Sequence, residues 1–311
     1  MKLAALYGDG DTSALHLAID GDGYVPIDLL LPPSSGLLGL SDVGALLAAG
    51  PEALEQIRAL ASGDLCPTVP WPAARLAPPV RRPGKLICVG LNYAAHIEES
   101  RLSRPEHIVL FAKFATSLVG HDAPVLLHDC TEELDYEGEL AVVIGRRAAR
   151  VSADEAMRYV AGYTIINDVS ARDLQASEPQ WLRGKALDTF APLGPVFLDI
   201  EAAPPIESMH IRTRVNGEVR QDASCSLMLT PVPQLLEHIS RAMTLEPGDI
   251  IATGTPSGVG MAMDPPVFLK PDDVVEIELE PIGTLVSKVV RREVAEQAIS
   301  APTVSTGRAH P

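Results

Sequence analysis

The chain has 311 residues, 46% hydrophobic and 21% charged, so it can bury a sizeable core and has a globular composition. Asp and Glu outnumber Lys and Arg by 41 to 25, which gives a formal net charge of −16. This charge argues against nucleic acid and anionic membrane surfaces as partners, although a bound cation would still permit an anionic substrate.

The first part of the chain is predicted to form a small separate unit over residues 1–67. Short strands are expected at 3–7 and 15–19, followed by a helix at 47–60. The start of the sequence does not resemble a signal peptide, and no apolar run is long enough to span a membrane. Together with four scattered cysteines that lack zinc-ligand spacing, these features predict a cytoplasmic protein.

Residues 68–83 are rich in proline and are predicted to be a semi-rigid linker rather than a packed element. A second unit is predicted over 84–291. Apolar strand-like runs recur there, at 86–89, 108–111, 140–144, 163–166, 195–197, 250–251, 274–277 and 285–290. Two helices are expected, at 153–160 with Ser152 as N-cap and at 233–243. Because strands outnumber helices, the predicted class is β-rich α+β. Residues 292–311 are predicted to be a flexible tail.

Three carboxylates lie at the ends of two of these predicted strands. Glu137 and Glu139 are two residues apart, so both side chains point to one face of a strand, and Asp168 ends a second apolar run. Adjacent carboxylates at the edge of an apolar core are costly unless a cation neutralises them. A site made only of oxygen atoms suits Mg²⁺ or Mn²⁺ better than zinc. The alternative for an isolated pair of this spacing is a solvated sheet face, with Asp168 capping a turn.

Two further segments carry candidate catalytic groups. His96 and Glu99 are three residues apart on a predicted helix start, where a carboxylate could orient an imidazole as general base. Lys185 follows a glycine and could stabilise negative charge on a substrate oxygen. An ordinary surface pair and a surface lysine are the competing interpretations. The glycines, hydroxyls and amides of residues 253–260 could hold a carboxylate.

Five segments together resemble the fumarylacetoacetate hydrolase family over about residues 84–291. They are G-L-N-Y-A-A-H-I-E-E at 90–99, D-Y-E-G-E at 135–139, N-D-V-S-A-R-D at 167–173, G-K-A-L-D-T-F-A-P-L-G-P at 184–195, and T-G-T-P-S-G-V-G at 253–260. The resemblance implies a mixed β-sandwich roll as catalytic domain and an α/β cap domain at the N-terminus. It also implies a homodimer.

The resemblance assigns nine site residues to three roles. The ligands of one Mg²⁺ or Mn²⁺ would be Glu137, Glu139 and Asp168. The catalytic residues would be Lys185 and the water-activating pair His96 and Glu99, on a segment that acts as a lid in relatives. The substrate contacts would be Gln175, Thr255 and Asn92.

The residues around this set refine the expectation. Arg172 and Asp173 are expected to brace the loop that carries Asp168. Leu91 stands where some acylpyruvate-cleaving relatives have an arginine that faces the substrate. Arg101 and Arg104 are the candidate replacements for that arginine.

The leading functional hypothesis is a metal-dependent hydrolase that cleaves a C–C bond in small anionic 2,4-dioxo acids through a pyruvate enolate, in the catabolism of aromatic or related acids. The alternatives on the same site are an oxaloacetate decarboxylase or tautomerase, or an isomerase of 2-hydroxyhepta-2,4-diene-1,7-dioate type. A non-catalytic sensor of 2-oxo acids and a structural protein with surface carboxylates are the hypotheses from other classes.

Overall fold

The computed structural model describes residues 1–19, 22–63 and 65–292, and 19 strands and seven α-helices lie within these ranges. The strands of the first 83 residues are β1 Lys2–Tyr7, β2 Ser13–Ile19, β3 Gly23–Pro26, β4 Val69–Pro70 and β5 Leu76–Ala77, and the helices are α1 Val43–Ala48 and α2 Pro51–Ala61. The later strands are β6 Leu86–Gly90, β7 Val109–Lys113, β8 Leu118–Val119, β9 Val125–Leu127, β10 Leu134–Asp135, β11 Gly138–Ile144, β12 Val160–Asn167, β13 Ser170–Ala171, β14 Ala191–Asp199, β15 His210–Val215, β16 Glu218–Ser224, β17 Ile250–Ala252, β18 Val274–Leu279 and β19 Gly283–Arg291. The later helices are α3 Ala94–Glu99, α4 Ala153–Ala156, α5 Arg172–Ser177, α6 Leu182–Lys185 and α7 Val232–Ala242. The β-rich α+β class is therefore confirmed.

The largest sheet joins the N-terminal strands to the rest of the chain. Its order is β4-β3-β2-β1-β14-β12-β11-β17-β6-β7, with β5 on β1 and β8 on β14. Strand β1 pairs antiparallel with β14, so that Lys2 faces Leu198 and Leu3 faces Phe197. Leu3 and Phe197 also belong to one buried apolar cluster. The boundary at residue 67 stays a prediction, but the two segments share a sheet and a core.

The proline-rich stretch differs from the predicted unpacked linker. Leu76 and Ala77 form β5 and pair with β1, and both side chains are buried, as is that of Val80. Pro78 and Pro79 follow the paired residues instead of interrupting them, which is where a residue without an N–H is tolerated beside a strand. The stretch therefore contributes to the core.

A second sheet has the order β16-β15-β18-β19-β9 and contains a hairpin that the apolar runs did not reveal. Strands β15 and β16 are joined at Asn216-Gly217, where both residues have positive φ, 52° and 81°. Asn-Gly is the strongest short hairpin signal because its two residues adopt such angles readily. Charged residues alternate along β15, so the strand does not read as an apolar run.

Helix α7 spans Val232–Ala242, close to the predicted 233–243. The helix predicted at 47–60 is instead two helices, because α1 ends at Ala48 and α2 begins at Pro51. The predicted helix at 153–160 is shorter, because a 3₁₀ turn follows α4 and β12 begins at Val160. None of the helices in the described part of the chain has the length and apolar character needed to cross a bilayer. The predicted tail lies outside the described residues from position 293 onward.

Candidate active site

The register of two central strands places the three predicted metal ligands together. Strands β11 and β12 are antiparallel with Gly138 opposite Asn167, so the residue before β11 lies beside the residue after β12. These residues are Glu137 and Asp168, and the Asp168 N–H donates to the Glu137 carbonyl at 2.8 Å. Each of the two, and Glu139 as well, offers a carboxylate oxygen, and the three oxygens lie within 4.8 Å of one another. All three side chains are buried.

Two buried lysines contact this carboxylate cluster. Lys185 Nζ lies 2.7 Å from Glu137 Oε2 and 3.2 Å from Asp168 Oδ2. Lys113 Nζ lies 2.7 Å from Asp168 Oδ1. The Lys185 side chain is only 2% exposed and lines a cavity, so it can reach a bound substrate. A snorkelling surface lysine is excluded by that burial.

Arg172 braces the same cluster from α5. Its Nη1 lies 2.7 Å from Glu137 Oε1, and its Nε donates to Asp135 Oδ2 at 2.9 Å. Asp135 in turn accepts hydrogen bonds from the backbone N–H groups of Gly260 and Met261 at 2.8 and 3.1 Å. Arg172 therefore ties Glu137 to the loop that follows residues 253–260, which is the bracing role expected from the sequence, but it acts on Glu137 rather than on Asp168.

The electrostatics of the cluster leave one carboxylate uncompensated. Burial opposes ionisation of Glu137, but Lys185 and Arg172 outweigh it and lower its pKa to about 2. Burial raises the pKa of Glu139 well above its usual value, and the charges of Asp168 and Glu137 add to that effect. A divalent cation among three carboxylates would remove this repulsion. Because the donor set is oxygen only, the residues fit Mg²⁺ or Mn²⁺ and not a typical zinc site.

The predicted histidine–glutamate pair forms on α3. His96 Nδ1 lies 2.9 Å from Glu99 Oε1, and Glu99 Oε2 accepts a hydrogen bond from the Gly258 N–H at 2.7 Å. A carboxylate that accepts from Nδ1 leaves Nε2 as the basic nitrogen of the imidazole. His96 lines the same cavity as Glu137 and Glu139, so the imidazole and these two carboxylates face a common space.

Two of the three predicted substrate contacts line the cavity. Gln175 lies on α5, and its Oε1 accepts from Arg172 Nη1 at 3.0 Å. The Thr255 hydroxyl donates to the Gly138 carbonyl at 3.0 Å and accepts from Gln221 Nε2 at 2.7 Å. Its proton is therefore already used within the protein. A contact between Thr255 and a substrate carboxylate requires that this hydrogen bond be exchanged.

Asn92 differs from its predicted role as a substrate contact. Its Nδ2 donates to the carbonyl oxygens of Thr253 at 2.7 Å and Thr230 at 3.1 Å, and its Oδ1 accepts from the Thr230 N–H at 2.8 Å. These three bonds to backbone groups occupy the amide, and the residue is not among those that line the cavity. Asn92 fixes the turn before α3 and does not face a substrate.

The cavity has a volume of about 180 Å³, below the roughly 300–1,000 Å³ typical of sites for drug-sized ligands. The cavity also has an apolar wall, formed by Val89, Leu91, Leu102, Phe111, Trp181 and Met261. Leu91 thus lines the wall at the position where some relatives have arginine. Arg101 and Arg104 are exposed and are not among the described residues that line the cavity, so neither replaces that arginine in this conformation.

Sequence reasoning gave no role to Lys113, Asp135 or Gln221. Lys113 could have been noticed as a single charge directly beyond the apolar run 108–111. Asp135 begins the D-Y-E-G-E segment, but its partners Arg172 and Gly260 lie 37 and 125 positions away. Gln221 holds the Gly138 N–H at 3.0 Å and the Thr255 hydroxyl from strand β16, and its sequence context gives no signal of either bond.

Comparison with known proteins agrees with this geometry. Residues 85–290 match the family model described as fumarylacetoacetate (FAA) hydrolase C-terminal, and the chain belongs to the fumarylacetoacetate hydrolase family. Among its relatives is the oxaloacetate tautomerase YisK of Bacillus subtilis (strain 168), 47% identical over 219 residues that cover 69% of this chain and 73% of the relative.

Two solved structures extend the comparison. The fumarylacetoacetate hydrolase from Exiguobacterium antarcticum is 38% identical with a TM-score of 0.76, and the alignment covers 94% of this chain and 100% of that one. The maleylpyruvate hydrolase from Sphingobium sp. SYK-6, in complex with manganese(II) ion and pyruvate, is 28% identical with a TM-score of 0.75, covering 94% of this chain and 99% of that one. This chain is therefore similar both to a tautomerase and to a C–C hydrolase.

Proposed function

We propose that this protein is a Mg²⁺- or Mn²⁺-dependent tautomerase that interconverts the keto and enol forms of a small 2-oxo acid, with oxaloacetate as the first candidate. The observation that carries the proposal is the meeting of the His96–Glu99 pair and the carboxylate cluster in one small cavity. The 47% identity to an oxaloacetate tautomerase favours this alternative over the hydrolase that headed the hypotheses from the sequence.

The roles of the residues follow from their positions. Glu137, Glu139 and Asp168 would hold the metal, which would polarise the substrate oxygens and so make the hydrogens on C3 more acidic. In the keto-to-enol direction His96 Nε2 takes a proton from C3 and passes it to the oxygen on C2, and in the other direction it carries the proton back from that oxygen to C3, while Glu99 stabilises the imidazolium through Nδ1. The Lys185 ammonium, kept charged by two carboxylates, donates a hydrogen bond to the substrate oxygen on which negative charge develops.

The apolar wall supports proton transfer without added water. The Trp181 ring packs directly on Gly90, where an added Cβ would lie 2.6 Å from the ring, and meets the Phe111 ring edge-on at 5.5 Å between centroids. These rings remove water from one side of the cavity, which strengthens the electrostatic interactions inside it. Tautomerisation needs only a transferred proton, whereas hydrolysis needs a water molecule beside His96.

The second candidate is a hydrolase that cleaves the C–C bond of a 2,4-dioxo acid. The observation that favours it is the retained His96–Glu99 pair, since such a pair can activate water, together with the 28% identity to a maleylpyruvate hydrolase. In that reaction His96 removes a proton from water and the hydroxide adds to C4. The bond between C3 and C4 then breaks, its electron pair passes to C3 as a pyruvate enolate, and His96 returns the proton to C3. Decarboxylation of oxaloacetate would use the metal and Lys185 without this water.

The test uses the protein loaded with Mn²⁺ and supplied with oxaloacetate equilibrating between its keto and enol forms. Loss of enol absorbance is followed in the ultraviolet, and pyruvate is measured in the same sample with lactate dehydrogenase. We expect enol loss faster than in buffer, abolished by EDTA, with little pyruvate. Stoichiometric pyruvate from oxaloacetate would assign a decarboxylase, and faster cleavage of acetylpyruvate or fumarylpyruvate would assign the hydrolase.

Five finer statements stay predictions. The small anionic 2-oxo acid as substrate class rests on the relatives and the cavity volume. A homodimer, a cytoplasmic location and a place in aromatic catabolism are inferred from the resemblance and from four free cysteines. Both Mg²⁺ and Mn²⁺ are compatible with the three carboxylates, and the manganese of the Sphingobium enzyme favours testing Mn²⁺ first.

A further inference from the structure

Lys113 is a fully buried lysine at the end of β7, and the mechanism above gives it no task. Its ammonium donates hydrogen bonds to the carbonyl oxygens of Val169 at 2.9 Å and Phe190 at 2.6 Å. Its third contact is the 2.7 Å ion pair with Asp168 Oδ1. One ammonium thus joins β7, the loop after β12 and the segment that enters β14.

These contacts define where the Asp168 carboxylate can lie. The Asp168 N–H donates to the Glu137 carbonyl at 2.8 Å, and its own carbonyl accepts from the Ser170 hydroxyl at 3.0 Å. Lys113 engages Oδ1, which leaves Oδ2 as the oxygen on the side of Lys185, a residue of the cavity wall. The backbone and one carboxylate oxygen of Asp168 are therefore fixed before any metal binds.

Lys185 offers a matched comparison, because it contacts the same carboxylate through the other oxygen. Its Nζ lies between Glu137 and Asp168, and its further contact is with the Phe111 ring, 5.2 Å from the ring centroid. Lys185 thus faces the cavity and the carboxylates, whereas Lys113 is anchored to two backbone carbonyls. Both lysines are buried, but only Lys113 links Asp168 to the framework in this way.

We propose that Lys113 is a positioning residue that holds Asp168 in the orientation required for metal binding. The proposal predicts an effect opposite in sign to simple electrostatics. Removing a positive charge beside a cation site should tighten metal binding, because repulsion is lost. Removing a group that orients a ligand should weaken it, typically by about 10–100-fold.

The experiment measures Mn²⁺ binding to the full chain without substrate, by the electron paramagnetic resonance signal of free Mn²⁺. We expect Lys113→Met to raise the Kd for Mn²⁺ by about tenfold or more. Lys185→Met, the matched variant, should leave Kd unchanged or lower it, because it removes charge without releasing Asp168 from the framework. Thermal unfolding without metal is recorded in parallel to separate stability from metal affinity.

The outcomes separate this inference from the proposed function. If Lys113→Met lowers the melting temperature but raises Kd less than about tenfold, Lys113 is only structural and the inference is overturned. If Lys113→Met does not fold, Lys113→Gln, which retains one donor group, is measured against the same threshold. Failure of the unaltered protein to bind Mn²⁺ would overturn both this inference and the metal dependence proposed above. Turnover assays alone test the proposed function and leave the role of Lys113 to the binding measurement.

Discussion

Two parts of the site are built differently. One is the carboxylate floor, which consists of Glu137, Glu139, Asp168 and the cations that contact them. The other is the dyad segment, residues 92–102, which carries His96 and Glu99. Each carboxylate of the floor is buried and has partners from another part of the chain. The dyad segment is held to the rest of the site through Asn92 and through the Glu99–Gly258 hydrogen bond, and its end is exposed.

This difference separates two functions of the site. The floor fixes the position of a cation and of the substrate atoms that a cation would hold, and every reaction considered for this family needs that. In the proposed reaction the dyad segment would supply the proton acceptor, and its Leu102 lines the cavity together with the neighbouring Leu91. We infer that the choice among tautomerisation, hydrolysis and decarboxylation depends on the dyad segment.

The largest effect is expected from breaking the floor at Glu139. Glu139→Gln keeps the size of the side chain and its acceptor for the Gly254 N–H, but removes one of three anionic ligands. We expect Mn²⁺ binding and tautomerase turnover to be lost together, because the remaining two carboxylates are already paired with Lys185, Lys113 and Arg172. Calorimetric titration with Mn²⁺ and the enol assay measure this. Full activity in the variant would contradict the assignment of Glu139 as a ligand.

A slightly smaller effect is expected from breaking the dyad. His96→Gln should lower kcat by about 10²–10⁴-fold, the usual contribution of a positioned general base, while the Kd for Mn²⁺ stays unchanged. Glu98→Gln is the matched control, because Glu98 is exposed on the same helix and should retain full activity. Equal loss of Mn²⁺ affinity and of rate in His96→Gln would show that floor and dyad do not act separately.

Within the floor, Glu139 and Glu137 are expected to change the stability of the protein in opposite directions as pH rises. The raised pKa of Glu139, caused by burial and by Asp168 and Glu137, means that the folded protein holds this proton more tightly than the unfolded chain. The metal-free protein should therefore lose stability as pH rises above the ordinary glutamate value of 4.5 toward the raised pKa. Glu137 acts oppositely, because its pKa of about 2 gives stability that is present above 4.5 and lost as pH falls toward 2.

Denaturant unfolding in EDTA measures this behaviour. Between about pH 5 and pH 8 the free energy of unfolding of Glu139→Gln should fall less steeply than that of the unaltered protein, since the glutamine does not titrate. Added Mn²⁺ should reverse the trend in the unaltered protein, because metal binding favours the ionised carboxylate. Parallel slopes for the two proteins in EDTA would show that Glu139 is ionised without metal.

The smallest effect is expected at the end of the dyad segment. Arg101 has φ of 54° and closes α3, with Leu102 N–H bonded to the Ile97 carbonyl and the Arg101 N–H to that of Glu98. Glycine is favoured at this position, so Arg101→Gly should stabilise the protein by about 1 kcal/mol. Turnover should change by less than about threefold, because Arg101 is exposed. A large rise in KM would instead assign Arg101 to the substrate, and thermal unfolding with steady-state kinetics decides between these results.

The sequence predicts local features of the site better than it predicts which strands pair. The two-residue spacing of Glu137 and Glu139 and the position of Asp168 after an apolar run are local patterns, and the register of β11 against β12 converts them into a cluster. The pairing of β1 with β14 is not local, since it joins residues nearly 200 positions apart. No short sequence pattern in Lys2–Tyr7 predicts this pairing.

The same limit explains which site residues were missed. His96 and Glu99 interact at helical spacing, so their pairing can be predicted from three positions of sequence. Lys113 acts through Val169 and Phe190, 56 and 77 positions away, and its chemistry is visible only once β7 and β12 have been placed. Asn92 was assigned to the substrate through the family resemblance, and its bonds to the backbone of Thr230 and Thr253, 138 and 161 positions away, cannot be read from the sequence around it.

The shared sheet also bears on how far the catalytic region can be treated as a module. Residues 85–290 match the family model, yet β14 within that span pairs with β1, and Arg58 of α2 holds the buried Asp199 with bonds of 2.8 and 2.6 Å. Cutting the chain at residue 84 would expose one edge of Phe197 and Leu198 and leave their backbone N–H and C=O groups on that edge unpaired. It would also remove the Arg58 guanidinium from the buried Asp199 carboxylate. Such an unpaired strand edge can form hydrogen bonds with a strand of another molecule. The N-terminal segment is thus a covering without which the remaining fragment would be prone to self-association, and recombination between relatives would have to exchange β1 and β14 together.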